Sequence, residues 1–290
     1  MPLVVPRVTT CLRDTKKEVA KAARTALIEA CSVIGNPDIA PVVPSVISAI
    51  KDPDKVSVSS SCFISNFLRL IDRRSSKEPI AYILEKKEFW SKSFLVSKNT
   101  LVPRPETELM VEKIVKIFKK KDIFILDIGT GTGCILLSIL SELKNSKGTG
   151  IDISSKAIQI AIANSRKHNL TERTKFCKRS LDDIYHNKFD LIVSNPPYIK
   201  RIDIKNLNED IKKFEPKLAL DGGNDGLDVI KKVIYKSKNI LKIKGMLALE
   251  IGNEQFKKVS NILKSNKFKT RYLVKDYREN IRCILSTLEN

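Results

Sequence analysis

Asn195, Pro196, Pro197 and Tyr198 stand in a row after Ser194, which closes the largely apolar run Phe189 to Val193. Two prolines stop a strand and fix the backbone that follows. The Asn side chain offers an acceptor and donors, the Pro196 carbonyl adds a second acceptor, and Tyr198 supplies a flat aromatic face. That set answers one chemical problem. The nitrogen of a carboxamide or an exocyclic amine is a poor nucleophile because its lone pair is delocalised. Asn195 Oδ1 and the Pro196 carbonyl can hold both N–H groups of such an NH2 while Tyr198 fixes its plane. The lone pair is then aimed at an electrophilic carbon. Positioning supplies much of the acceleration, and acceptors matched to charge developing on nitrogen supply more. No strong general base is required, and no histidine stands in or beside the motif.

A second constellation lies upstream. Asp127-Ile128-Gly129-Thr130-Gly131-Thr132-Gly133 follows an apolar run and opens a helical pattern. Glycines there let the backbone turn sharply and approach a ligand, and the helix start beyond adds unpaired N–H groups. Asp152, 19 residues after Gly133 at the end of the next strand-like run, is placed to accept ribose hydroxyls. The spacing G-x-G-x-G differs from the dinucleotide G-x-G-x-x-G, yet these two features leave S-adenosylmethionine (SAM) and a dinucleotide both open. Asp127 is expected to orient the loop or meet the methionine end of a SAM-type cofactor, and Leu181 to cover the adenine.

The elements that must hold these residues are written in the periodicity. Helical spacing covers Leu109 to Phe118, Cys134 to Leu143, Lys156 to His168, Asp225 to Leu241 and Glu254 to Ser265. Between them lie strand-like runs at Ile123 to Leu126, Thr149 to Ile153, Lys175 to Cys177, Phe189 to Ser194 and Met246 to Ile251, with a closing pair at Thr270 to Lys275 and Ile281 to Thr287. Repeated βα units specify an α/β doubly wound, Rossmann-like parallel sheet, and a closing antiparallel pair suits its SAM-dependent methyltransferase variant. Ahead of it, Ala81 to Leu84 and Phe94 to Val96, with Trp90 between them, predict a β-hairpin. The expected organisation is a helical segment at 1–56, a helix-and-hairpin linker at 57–99, and the catalytic domain at 100–290.

The front segment has its own pattern. Thr15 and Glu18 have capping-box spacing, apolar residues follow from Val19 to Ala30, and Gly35 with Asn36-Pro37-Asp38 ends the helix. A second helical stretch, Ile39 to Ile50, closes at Asp52-Pro53-Asp54. The two resemble one HEAT repeat, in wording close to that of the fungal-type translation elongation factor three. A lone repeat lacks the neighbours that normally bury its apolar face.

A net charge of +20 admits a nucleic-acid partner, but the lysines are spread among Asn and Ile, which favours a solvated surface that could still guide the chain to an acidic, ribosome-associated complex. Six cysteines (Cys11, Cys31, Cys62, Cys134, Cys177, Cys283) form no CxxC pair, and His168 and His186 are the only histidines. Metal-ligand spacing is therefore absent, and reduced thiols fit a cytoplasmic protein, or an organellar matrix protein in a eukaryote. The start lacks signal-peptide pattern, and no apolar run approaches the roughly 20 residues that span a bilayer.

Beyond these two sites, Glu78-Pro79-Ile80-Ala81-Tyr82-Ile83-Leu84, Glu88-Phe89-Trp90, Thr100 to Glu108 with its Pro-Arg-Pro-Glu-Thr-Glu core, Glu215-Pro216 and Leu220 to Leu227 stand in one register with Asp127 to Cys134 and Val193 to Ile199. In combination, over about residues 62–290, the chain resembles the bacterial and organellar release-factor glutamine methyltransferase family. That resemblance implies SAM as cofactor, held by Gly129 to Gly133 and Asp152, with Asn195 beside it. It implies a substrate glutamine in the Gly-Gly-Gln loop of class I peptide-chain release factors, gripped by Asn195 to Tyr198, with Arg104 and Glu106 as a wall of the substrate cleft. Leu181 stands where the family often has Trp. Of the family's helical N-terminal domain, only the last helix, around Phe63 to Ile71, is retained. The rival substrates are amino groups of nucleic acid, which the same Asn-Pro-Pro-Tyr motif serves, and a ribosomal-protein glutamine. A ribosome-associated HEAT-type binding module is the alternative outside the enzymes.

Overall fold

The structure is a computed structural model that describes residues 69–184 and 189–290. The HEAT-like pattern at 1–56 and residues 63–68 of the expected helix lie outside the described residues. Of that helix, residues 69–71 are helical, and the helix runs on to residue 75. Arg73 then clamps the turn that follows it, donating to both carboxylate oxygens of Glu78 at 2.5 and 2.8 Å. Ile80–Ile83 forms one helical turn. The strand expected at Ala81 to Leu84 is therefore corrected: four apolar residues carry no period that separates strand from helix.

Residues Leu84–Asn290 form one compact unit. It opens with a hairpin whose strands are β1 (Lys86–Phe89) and β2 (Lys92–Leu95), paired antiparallel across Trp90 and Ser91. Helix α1 (Pro105–Phe118) follows, with Pro105 in its first turn and Glu106 and Glu108 beside its positive end. Then come β3 (Phe124–Ile128), α2 (Cys134–Glu142), β4 (Lys147–Asp152), α3 (Ser155–Lys167), β5 (Thr174–Lys178) and β6 (Phe189–Ser194). The short α4 (Glu209–Phe214) was not foreseen. The chain closes with α5 (Asp228–Ile240), β7 (Leu241–Glu250), α6 (Phe256–Ser265), β8 (Phe268–Lys275) and β9 (Ile281–Leu288).

The seven strands order as β5-β4-β3-β6-β7-β9-β8. Only β9 runs against its neighbours, pairing antiparallel with β7 and β8. Alternate strand residues feed two cores. Ile125, Leu191, Val193 and Ala248 pack with Met110 and Ile114 of α1 and Leu136, Leu137 and Leu140 of α2. Leu126, Ile192, Leu247 and Leu249 pack with Ile230 and Ile234 of α5 and Val259 and Leu263 of α6. Helices thus cover both faces, as the apolar strand runs require.

The chain winds outward from β3 through β4 to β5, then returns to start β6 on the other side of β3. The gap between β3 and β6 is the switch point where open α/β sheets bind ligands. Register puts the candidate residues there: Ile128 pairs with Ile151 and with Ser194, and Ser194 with Leu249. The residues that follow these strands therefore sit side by side along one carboxyl edge.

Candidate active site

The loop after β3 is built to keep backbone bare. Gly129 (φ 70°) and Gly131 (φ 54°) occupy the left-handed region, which costs an L-residue roughly 1–2 kcal/mol. A Cβ on Gly129 would meet nothing within 4 Å, and one on Gly131 only the Gly129 carbonyl at 4.0 Å. The loop is pinned from beneath: the N–H groups of Gly129 and Thr130 both donate to the Ile151 carbonyl at 2.9 Å, and Thr130 Oγ1 donates to Asp127 Oδ2 at 2.6 Å. Asp127 is fully buried under the loop and does not line the cleft, and the hydrogen bond it accepts holds Thr130 in the loop.

Burial pushes the Asp127 carboxyl up to about 7, with the nearby Asp152 charge adding to the rise and the Thr130 hydroxyl opposing it. Its folded value lies above its unfolded value, so ionisation disfavours the fold. Stability from this group is complete below about pH 4 and is lost as pH rises toward 7, on the order of 4 kcal/mol at about 1.4 kcal/mol per unit. Urea melts at pH 5 and pH 8 should show Asp127→Asn with a smaller pH difference than the wild type. An unchanged difference would show that Asp127 does not titrate in this range.

Asp152 closes the next strand. Its Oδ2 accepts from the Gly131 N–H at 3.0 Å and its Oδ1 from the Ser154 N–H at 2.9 Å. Each oxygen keeps a lone pair for a hydroxyl. Beside it opens a cleft of about 530 Å³ lined by Gly129 to Thr132, Asp152, Leu181, Asn195 and Pro197, with Val229 and Val233 of α5. That volume falls within the roughly 300–1,000 Å³ typical of small-molecule sites. Leu181 sits in a turn capped by Ser180 and tied to α5 by Asp182, which pairs with Lys232 at 2.5 Å and Lys236 at 3.6 Å.

Asn195 stands at a junction. It lines this cleft and also a second cavity of about 150 Å³, walled by Leu101, Arg104, Pro196, Tyr198, Ile211 and Leu220. Ser194 Oγ donates to the Ile128 carbonyl at 2.8 Å, tying the motif to the glycine loop. Gln255 holds the far end, donating to the Tyr198 carbonyl at 3.0 Å and the Gly226 carbonyl at 3.1 Å. The approach is close: a Cβ on Gly222 would sit 2.8 Å from the Pro197 carbonyl oxygen and 2.9 Å from Tyr198 Cα.

Behind the motif lies a buried polar chain. Asn195 Nδ2 donates to Thr107 Oγ1 at 3.4 Å, and Thr107 Oγ1 donates to Glu250 Oε2 at 2.6 Å. Tyr198 donates its hydroxyl to Glu250 Oε1 at 3.3 Å and accepts from Arg282 Nη2 at 3.2 Å. Burial raises the Glu250 carboxyl above its usual range, against the Thr107 hydrogen bond and the Arg282 charge. Burial first, and Glu250 next, push the Tyr198 hydroxyl up to about 12, so it stays protonated.

Of the expected wall residues, Arg104 lines both cavities while paired at 2.7 Å with the buried Glu215. Glu106 is exposed in the first turn of α1 and lines neither cavity. Thr107, Glu250, Arg282 and Gln255 were not singled out from sequence. Glu250 carried a readable signal, a lone acid closing an apolar strand, as Asp127 and Asp152 do. Among the described residues there is no group of His, Cys, Asp or Glu suited to a metal ion, and no helix is long and apolar enough to cross a membrane.

Comparison with known proteins decides the family. Residues 119–284 match the methyltransferase domain family. The chain is 38% identical over 248 residues to the release factor glutamine methyltransferase of Fusobacterium nucleatum, covering 83% of this chain and 67% of that protein. The chain belongs to the release factor glutamine methyltransferase family. The protein of the same name from Buchnera aphidicola is 43% identical over 213 residues, covering 73% of this chain and 76% of its own. A methyltransferase from Pyrococcus furiosus shares the fold, with a TM-score of 0.53 and 16% identity over 78% of this chain and all of its own. The sheet order and the glycine-loop edge described above are thus those of a methyltransferase.

Proposed function

We propose that this methyltransferase holds SAM in the larger cleft and methylates the side-chain amide nitrogen of the glutamine in the Gly-Gly-Gln loop of class I peptide-chain release factors. One observation carries the proposal: Asn195 lies on the wall shared by the two cavities. A donor in one and an amide in the other meet at its carboxamide. The substrate identity is supported by the names of the Fusobacterium and Buchnera relatives.

The residues present fit the cofactor. The open backbone at Gly129 and Gly131 admits a ligand against the loop, Asp152 has lone pairs for ribose hydroxyls, and Leu181 with Val229 and Val233 provides apolar walls for adenine. When bound, SAM supplies a methyl group on a sulfonium, a strong leaving group. The protein supplies position. Asn195 Oδ1 and the Pro196 carbonyl accept the two amide N–H groups, and Tyr198 limits the amide plane. Pro196 and Pro197 remove backbone freedom, so the acceptors are in place before substrate arrives. The methylated nitrogen is acidic and loses its proton afterwards, so no resident base is needed.

Incubating the purified protein with labelled SAM and a class I release factor should place label on that protein, and none on a variant whose Gly-Gly-Gln glutamine is replaced. Label found only on nucleic acid or on ribosomal protein would overturn the proposal in favour of those substrates.

A further inference from the structure

We propose that Glu250, acting through the Thr107 hydroxyl, is a positioning residue that fixes which end of the Asn195 carboxamide faces the reacting nitrogen. This deepens the amide-methylation reading and rests on it.

A carboxamide is nearly symmetric in shape but opposite in chemistry at its two ends. With Oδ1 toward the substrate, Asn195 accepts an N–H. Turned over, it presents Nδ2, a donor against a donor. Nothing in the Asn-Pro-Pro-Tyr sequence selects one end. The selection comes from behind. Glu250 is 1% exposed; in its ionised form, which the Arg282 charge and the Thr107 hydroxyl favour against burial, it is acceptor-only. The Thr107 hydroxyl must therefore spend its single proton on Glu250 Oε2, which lies 2.6 Å away. Only lone pairs then remain on Thr107 Oγ1 to face Asn195, and they accept from Nδ2. Oδ1 is left for the cleft.

The other carboxylate oxygen repeats the logic. Arg282 donates to the Tyr198 oxygen, so Tyr198 sends its own proton to Glu250 Oε1. One buried acid thereby sets the proton direction on both sides of the motif. The wrong orientation of Asn195 would be penalised twice, by acceptor against acceptor at Thr107 and by donor against donor at the substrate.

Thr107→Val keeps the shape and deletes the hydroxyl. It should lower kcat on a release factor by about 10- to 100-fold, the cost of a misplaced group, with SAM affinity unchanged. Thr107→Ser should recover most of the loss. Glu250→Gln should fall between, because a carboxamide can face Thr107 with either end. The Asn195 side-chain amide resonances in a 15N-labelled sample read the orientation directly, whatever the substrate. One of its two protons should lose its hydrogen-bonded shift in Thr107→Val and keep it in Thr107→Ser. A purely structural role would lower the melting temperature while leaving kcat and those resonances alone, and that pattern would overturn the inference. Failure of the wild type to methylate any release factor would overturn the functional reading instead, and the resonances would still decide the orientation.

Discussion

Asn195→Ala should lower turnover on a release factor by about 10²- to 10³-fold, the cost of one preorganised group aimed at the reacting atoms, and leave SAM affinity nearly unchanged. The asymmetry follows from where the side chain sits. Asn195 lines both cavities, whereas the proposed cofactor contacts, Gly129 to Thr132, Asp152 and Leu181, line the larger cleft and not the smaller one. The backbone of the motif would survive the change, because Ser194 and Gln255 hold it from both sides. Alanine therefore removes one acceptor and little else. Steady-state kinetics with release factor varied, and calorimetry with SAM alone, check the two halves. Equal losses of turnover and of SAM affinity would place Asn195 in the cofactor site and remove it as the amide clamp.

Asp152→Ala should show the opposite split. SAM should bind about 10- to 100-fold more weakly, as the loss of charge-assisted hydrogen bonds of roughly 1.5–3 kcal/mol predicts. Turnover at saturating SAM should stay within about threefold of the wild type, since uniform binding rather than transition-state contact is removed. Two effects combine. The carboxylate loses its place as acceptor for ribose hydroxyls, and the N–H groups of Gly131 and Ser154 lose their partner. Asp152→Asn separates them, because the amide oxygen can keep one backbone contact. Affinity for SAM that is unchanged in the alanine variant would show that Asp152 only braces the loop.

The two motifs were legible in sequence because each is local. The glycine loop needs three glycines within five positions, and the clamp needs four consecutive residues. Strands β3, β6 and β7 were legible for the same reason, since each carries a buried apolar run. What escaped was either short or long-range. Strand β1 reads Lys-Lys-Glu-Phe, and its burial is confined to Phe89, so hydrophobic patterning could not mark it. Helix α1 begins at Pro105, four residues before its apolar stripe becomes visible. Thr107 meets Glu250 across 143 positions, and no local pattern reports such a pair. Asn164 is a similar case: fully buried, it bonds the N–H and carbonyl of Leu95 and the Thr132 carbonyl, joining the hairpin to the glycine loop.

The central claim is geometric, and a crystal structure of the protein with S-adenosylhomocysteine and a Gly-Gly-Gln peptide tests it most directly. The account predicts the glutamine NH2 within hydrogen-bond distance of both Asn195 Oδ1 and the Pro196 carbonyl, facing the sulfur across the wall that Asn195 shares between the two cavities. A glutamine side chain bound with its amide turned away from Asn195, or a cofactor seated away from Gly129 to Gly133, would contradict it.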